Sequence, residues 1–224
     1  MLRRSVIAIT LTLSATGHAA SSEGPPATEH GPASSAFPSH RFQLAPHRYP
    51  RGEIGVNFGL IQPIFAHGFN IAGEFRYQRL WLEYSHGQSL DYSACASMCL
   101  TSDERNAGLS VKSPYTTGFG VGFILIDDVW LGLEFKTHRY EVGAPSGDQV
   151  RYQTYSIGPV LGWRFFVVRG LYIDLYARYW PNIANTLPNG EWAVAASGDR
   201  PASTHQAHNL GVFANASIGW AFAL

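Results

Sequence analysis

The sequence predicts an all-β fold: an eight-stranded antiparallel up-and-down transmembrane β-barrel with a filled interior, behind an export signal and a disordered lead. Three observations predict it. Period-two alternation of apolar and polar residues returns eight times after Gly52. The connections between those segments alternate between short and long. The charges within the segments share one parity and nearly cancel.

Composition narrows the class first. Only 14% of the 224 residues are charged, against about 25% in a typical soluble domain. The 16 Lys and Arg balance 16 Asp and Glu, which argues against nucleic acid as a partner. After the first residues, no apolar run approaches the ~20 residues of a membrane helix.

The chain starts "MLRRSVIAITLTLSATGHAA". Arg3 and Arg4 precede an apolar stretch from Val6 to Leu13, and Gly17 and Ala19 have the spacing a signal peptidase requires. Residues 1–19 therefore read as a signal peptide cleaved after about Ala19. Residues 20–51 are rich in Pro, Ser and Ala and hold too little apolar surface to offset ordering entropy, so a disordered lead is expected. The irregular spacing of His30, His40 and His47 suits a linker better than a metal site.

The barrel is assigned to residues 52–224. Its segments are "EIGVNFGLI", "FNIAGEFRY", "LWLEYSHG", "YTTGFGVGFILI", "VWLGLEFKTH", "YQTYSIGPVLGWRF", "LYIDLYARYW" and a closing strand, "NLGVFANASIGWAFAL". Most match the 9–11 residues of a tilted membrane strand. An even number returns both chain ends to one rim. Gln78-Arg79 is a two-residue hairpin joining Tyr77 to Leu80 on one face, and Asp127-Asp128 and "VVRG" are similarly short. Long loops follow the third and seventh segments, a medium one lies at "GAPSGD" and a small one at "PIFAHG". Pro159 interrupts the sixth segment and cannot donate a ladder hydrogen bond, so a bulge or break is expected beside Gly158.

Alternation alone also fits a lipocalin-like soluble carrier, whose apolar face points inward. The charges decide. Glu53, Glu74, Glu83, Glu134 and Asp174 share the polar parity with Arg76, Lys136, Arg164 and Arg178. On a lipid face each Lys or Arg would cost about 2–4 kcal/mol at the midplane. These residues are expected inside, as ion pairs. Trp81, Trp130, Tyr172, Tyr176 and Trp180 share their parity and would fill the remaining space, leaving no pore. On the apolar parity, Tyr84, Tyr115, Tyr155 and Tyr179 are expected near the loop side. Tyr77, Trp163, Phe165, Trp220 and Phe222 are expected near the turn side, completing two interfacial girdles.

The closing strand has apolar side chains at every even position from Leu210 to Leu224. It resembles the C-terminal recognition strand of bacterial outer-membrane proteins, although it ends in Leu224 and not in Phe or Tyr. Residues 52–224 as a whole resemble the small eight-stranded barrels, such as the membrane domain of OmpA, or OmpX and OmpW. The likeness lies in pattern and not in motif, so no functional residues carry over. It implies a bacterial outer-membrane location, with membrane lipid, lipopolysaccharide and the barrel assembly machinery as partners. No cofactor is implied.

Cys95 and Cys99, in the long second loop, are expected to form a disulfide after export. Free thiols are the alternative; zinc would need two further ligands. His86 lies on the lipid parity above Glu83, which raises an outer-leaflet lipid hydrolase as a reading. Adjacent Ser85, however, must point to the opposite face. Asp103, Glu104, Arg105, Asp199, Arg200, His205 and His208 read as solvated loop charges. The leading functional reading is a barrel that presents its extracellular loops for surface interaction or envelope support. The alternatives are the lipid-modifying enzyme and an OmpW-like, sideways-opening passage for small apolar molecules.

Overall fold

The computed structural model describes residues 52–126 and 128–224. The expected export signal, the lead and its histidines lie outside the described residues.

Alternation builds the wall. Its strands are β1 (Glu53–Gly59), β2 (Phe69–Tyr77), β3 (Leu80–Asp91), β4 (Ser110–Ile126), β5 (Val129–Gly143), β6 (Gln149–Phe166) and β7 (Leu171–Trp180). After β7 come the short β8 (Asn182–Asn185), β9 (Glu191–Val194) and β10 (Ser203–Gln206), and then the long β11 (Gly211–Ala223). Strands β1 to β7 each pair antiparallel with the next, and β11 pairs with both β7 and β1. The ladder thus closes on itself with eight strands and no free edge along most of its height. The two ends of the described chain meet, the Leu224 N–H donating to the Gly52 carbonyl at 3.1 Å.

The sidedness of the wall is decisive. Glu74, Lys136 and Arg178 are buried, Arg178 with 2% of its surface exposed. Leu131, Leu161 and Ile218 face outward, Leu131 with 47% exposed. A lipocalin-like packing would have the reverse. Such a belt of exposed Leu, Ile, Val and Phe far exceeds the apolar patches that water tolerates. It suits acyl chains.

Pro159 breaks the ladder on one side only. Toward β5 the register runs unbroken through Leu133↔Pro159. Toward β7 the pairs stop at Val160↔Arg178 and resume with β8 at Ser156↔Asn182, followed by a bulge at Tyr155. The missing donor therefore sits where two prolines, Pro159 and Pro181, face a gap. Gly158 lets the Tyr179 carbonyl approach so closely that a Cβ there would overlap it.

Three wall strands are far longer than the membrane needs. β4, β5 and β6 have 17, 15 and 18 residues. Their excess supports an ordered crown on the long-loop rim, with α1 (Ile61–Phe65), α2 (Ala96–Cys99), α3 (Ser102–Asn106) and the β9–β10 hairpin. The crown has its own core, including Leu90, Leu100, Leu109, Val111, Tyr140 and Leu187. The long loop after β7 contains three short strands. Its alternation ("EWAV", "STHQ") is too brief to stand out in sequence.

Candidate functional site

The lumen is filled from the short-turn rim upward. On β6, Arg164 sits in the middle of three carboxylates. It donates from Nε and Nη2 to Asp174 at 2.8 Å each, from Nη1 to Glu53 at 2.8 Å and from Nη2 to Glu74 at 2.5 Å. Arg76 adds a second cation to Glu74 at 3.2 Å. Higher up, Arg178 holds Glu83 at 3.1 Å and Glu134 at 3.0 Å. Aromatic rings lie between the two groups: the Arg76 guanidinium stacks 4.3 Å over Trp130, and that of Arg178 lies 4.1 Å over Tyr176. Trp81 packs 5.8 Å from Trp130, and both are fully buried. A lumen filled in this way leaves no axial pore, and Arg76, Arg164 and Arg178 each have carboxylate partners that offset their desolvation.

Lys136 is the cation that this network uses least. Among the described residues it has no carboxylate within ion-pair distance, and its Nζ donates to the Ser85 hydroxyl. Its ammonium also lies 5.3 Å from the Trp180 ring. Two residues further along β5, His138 is 3% exposed, and neither ring nitrogen has a hydrogen-bond partner. Sequence reasoning misses His138, which falls at the end of its alternating segment.

Lys136 and His138 form the floor of a cavity of about 470 Å³. The cavity exists because β1 is short. Its pairing with β11 ends at Gly59↔Ser217, with one further bond from the Leu60 N–H to the Ala216 carbonyl at 2.8 Å. There the chain turns into α1, whereas β11 continues to pair with β7 as far as Gly211↔Trp180. The result is a notch in the wall. Its sides are Ile61 and Phe65 of α1, Leu90, and the β11 residues Val212, Phe213 and Ala214. Val212 and Ala214 belong to the lipid-facing parity and are exposed, so the lining reaches the outer side of the wall as well as the crown residues Tyr92, Cys95 and His208. Irregular backbone at this depth is tolerated where it lines a cavity or is packed against protein.

Above the notch, one hydrogen-bonded chain ties the crown together. The His205 Nδ1 lies 2.6 Å from Glu104, its Nε2 lies 2.8 Å from the Tyr152 hydroxyl, and the His208 N–H donates to that hydroxyl at 3.0 Å. The network sets the tautomer: Nδ1–H donates to the carboxylate and Nε2 accepts from the phenol. Burial raises the Glu104 carboxyl, but His205 and the Thr101 N–H and hydroxyl outweigh it and hold the carboxyl down at about 2. The same contacts make Thr101 and Glu104 a capping box for α3. Burial between the rings of Tyr92 and Tyr140, each 5.2 Å away, pushes His208 down to about 4. Glu104 and His205 are thus buried, which corrects their reading as solvated loop charges. Asp103, Arg105, Asp199 and Arg200 are exposed. The partners lie 101 residues apart, and nothing local in the sequence marks them.

The other candidates fall as follows. Cys95 and Cys99 are joined by a disulfide. His86 stacks outward on Tyr115, with ring centroids 6.5 Å apart, while Ser85 and Glu83 lie inside the barrel. A hydrolase set is therefore split across the wall. Tyr77, Trp163 and Trp220 are exposed beside the short-turn rim, and Tyr179 is exposed toward the loop side. Tyr115 and Tyr155 are half-buried on the outer wall. Tyr84 differs from its expected place. It is the fifth of twelve residues in β3, so it lies in the lower half of the wall and meets the Thr117 hydroxyl at 3.0 Å. The strand runs on to Asp91, past Gly87 and Ser89, where the sequence alternation lapses.

No family model and no curated protein matches the sequence. Among solved structures, the chain is similar to Neisserial surface protein A (NspA), with 11% identity and a TM-score of 0.38 over 77% of this chain and 94% of that one. It is also similar to a major outer membrane protein from Thermus thermophilus, with 11% identity and a TM-score of 0.35 over 76% and 99%. The fold itself rests on the ladders. A closed eight-stranded antiparallel wall, apolar outside and ion-paired within, is the architecture of the small outer-membrane barrels.

Proposed function

We propose that this chain is an integral protein of the bacterial outer membrane that takes in small apolar molecules sideways, through the notch between α1 and β11. The observation that carries this reading is the cavity of about 470 Å³, within the usual size of ligand pockets, whose lining includes Val212 and Ala214 of the lipid-facing parity of β11. The filled lumen below argues against passage straight down the axis. A ligand that enters from the crown would instead leave through the wall toward the acyl chains.

Export through residues 1–19, assembly through the closing strand and residence among lipid and lipopolysaccharide belong to the same proposal. The experiment compares uptake of a fluorescent apolar dye by cells that carry the protein, cells that lack it and cells that carry Ala214→Trp, which fills the mouth. Faster uptake that Ala214→Trp abolishes supports the reading. Equal uptake in all three contradicts it.

A second reading, presentation of the loops for surface interaction, is favoured by the ordered crown. A packed core, a disulfide and a buried Glu104–His205 tie are more than a set of solvated loops requires. An ordered surface binds a partner at lower entropic cost than flexible loops do.

A further inference from the structure

The floor of the cleft differs from its walls. The walls are Ile61, Phe65, Leu90, Val212 and Phe213, while Lys136 and His138 at the floor are both almost fully buried. An apolar ligand alone would leave them unused. Burial of a polar group without a partner costs on the order of 1–3 kcal/mol, so two unpaired imidazole nitrogens at the end of an apolar cavity call for an explanation. Thr116, also on the cavity wall, has a hydroxyl in the same condition.

The charges around the floor specify the missing group. Arg178 draws Glu83 and Glu134 to itself, so no carboxylate among the described residues sits on the Lys136 ammonium. Arg178 holds both carboxylates, which leaves the Lys136 ammonium with one hydrogen bond, to Ser85, out of three possible. Lys136 can therefore only donate, and His138 can accept at one nitrogen while donating from the other. A ligand that arrives neutral and becomes an acceptor on binding satisfies both. A cationic head would meet the ammonium of Lys136 and is disfavoured.

We propose that the cleft binds a single-chain carboxylic acid, with its head between Lys136 and His138 and its tail running out between α1 and β11 toward the bilayer. This rests on the lateral-entry reading above and adds the ligand class. The acid crosses the apolar mouth in its neutral form. At the floor its O–H bond breaks and the proton leaves to water, giving a carboxylate opposite the lysine ammonium. The carboxylate accepts a charge-assisted hydrogen bond from Lys136 Nζ and a second from the N–H of the neutral His138 ring.

The test uses the whole barrel in lipid nanodiscs, titrated by calorimetry with decanoic acid, 1-decanol and decylamine, which share one tail. Decanoic acid is expected to bind at least about tenfold more tightly than decanol, the equivalent of one such hydrogen bond. Lys136→Met and His138→Phe should each weaken decanoic acid binding by more than decanol binding and so bring the two affinities together. His138→Phe stands alone if loss of Lys136 prevents folding, as judged by the heat-modifiable band. The ¹⁵N resonances of His138 should keep neutral-imidazole values and shift more with decanoic acid, which accepts from the ring N–H, than with decanol. Equal affinity for acid and alcohol, or tightest binding of the amine, overturns the assignment of the head and leaves lateral entry standing. If no compound binds, or if Ala214→Trp binds all three as well as the parent, both proposals fall.

Discussion

At the scale of single residues, the most consequential side chain is Arg164. It offers a bidentate grip to Asp174 and still reaches Glu53 and Glu74. Arg164→Ala would leave those carboxylates buried around Arg76 alone, at a cost of about 3–5 kcal/mol. Urea unfolding from lipid vesicles, followed by tryptophan fluorescence, should show this as a lower midpoint. Arg164→Lys should recover part of the loss and not all of it, because a point-like ammonium cannot fork onto Asp174. In the crown, two residues set a pH response. Glu104 is held at about 2, below its ordinary 4.5, so its stabilisation is complete above that ordinary value and is lost as pH falls toward 2. His208, held at about 4, is protonated more readily in the unfolded crown. Its contribution is complete above about pH 6.5 and fades as pH falls through 4. Hydrogen exchange should therefore show the crown loosening in two stages on acidification. His208→Phe should remove the upper stage and Glu104→Gln the lower. Loosening at alkaline pH instead would contradict both assignments.

At the scale of elements, the wall was legible in sequence because one periodicity serves two purposes. The parity that puts Leu131, Leu161 and Ile218 toward lipid also puts Glu134, Arg164 and Arg178 in the lumen. No local feature has to be read correctly for that pattern to emerge. Pro159 was legible as a fault, but the side of the fault was not. Which neighbour loses the ladder depends on where Pro181 ends β7, a fact of register between strands. Gly158→Ala should destabilise the barrel by about 1–3 kcal/mol, since its methyl would meet the Tyr179 carbonyl and backbone cannot move aside as a side chain can. Pro159→Val should change stability by less than about 1 kcal/mol, because the ladder beside it is already open. The same unfolding assay reads both, and a reversed order of severity would show that the proline and not the close approach sets the break. The notch was illegible for a similar reason. It is produced by the seven-residue length of β1 against the thirteen of β11, and the sequence EIGVNFGLI alternates past the point where the strand stops.

At the scale of the whole molecule, a plugged barrel divides into a lower part that anchors and an upper part that meets ligands. In the lower lumen the charges are spent on each other: Glu53, Glu74, Asp174, Arg76 and Arg164 form one set of ion pairs. The upper lumen ends in Lys136 and His138, which have hydrogen-bonding capacity to spare and line the cavity beside β11. Sequence parity placed Lys136 inside but could not separate it from the paired charges. Separating them needs the knowledge that Arg178 reaches both Glu83, 95 residues away, and Glu134 on another strand. The crown, assembled from loops more than a hundred residues apart, was beyond any local reading. Every one of these inferences depends on which face of the wall meets lipid. Spin labels introduced one at a time at Leu131, Leu161 and Ile218 measure that face in liposomes. All three should relax strongly with dissolved oxygen and hardly at all with a water-soluble nickel chelate, as lipid exposure requires. Strong relaxation of the three by the nickel chelate would place the oily face in water and contradict the barrel as described.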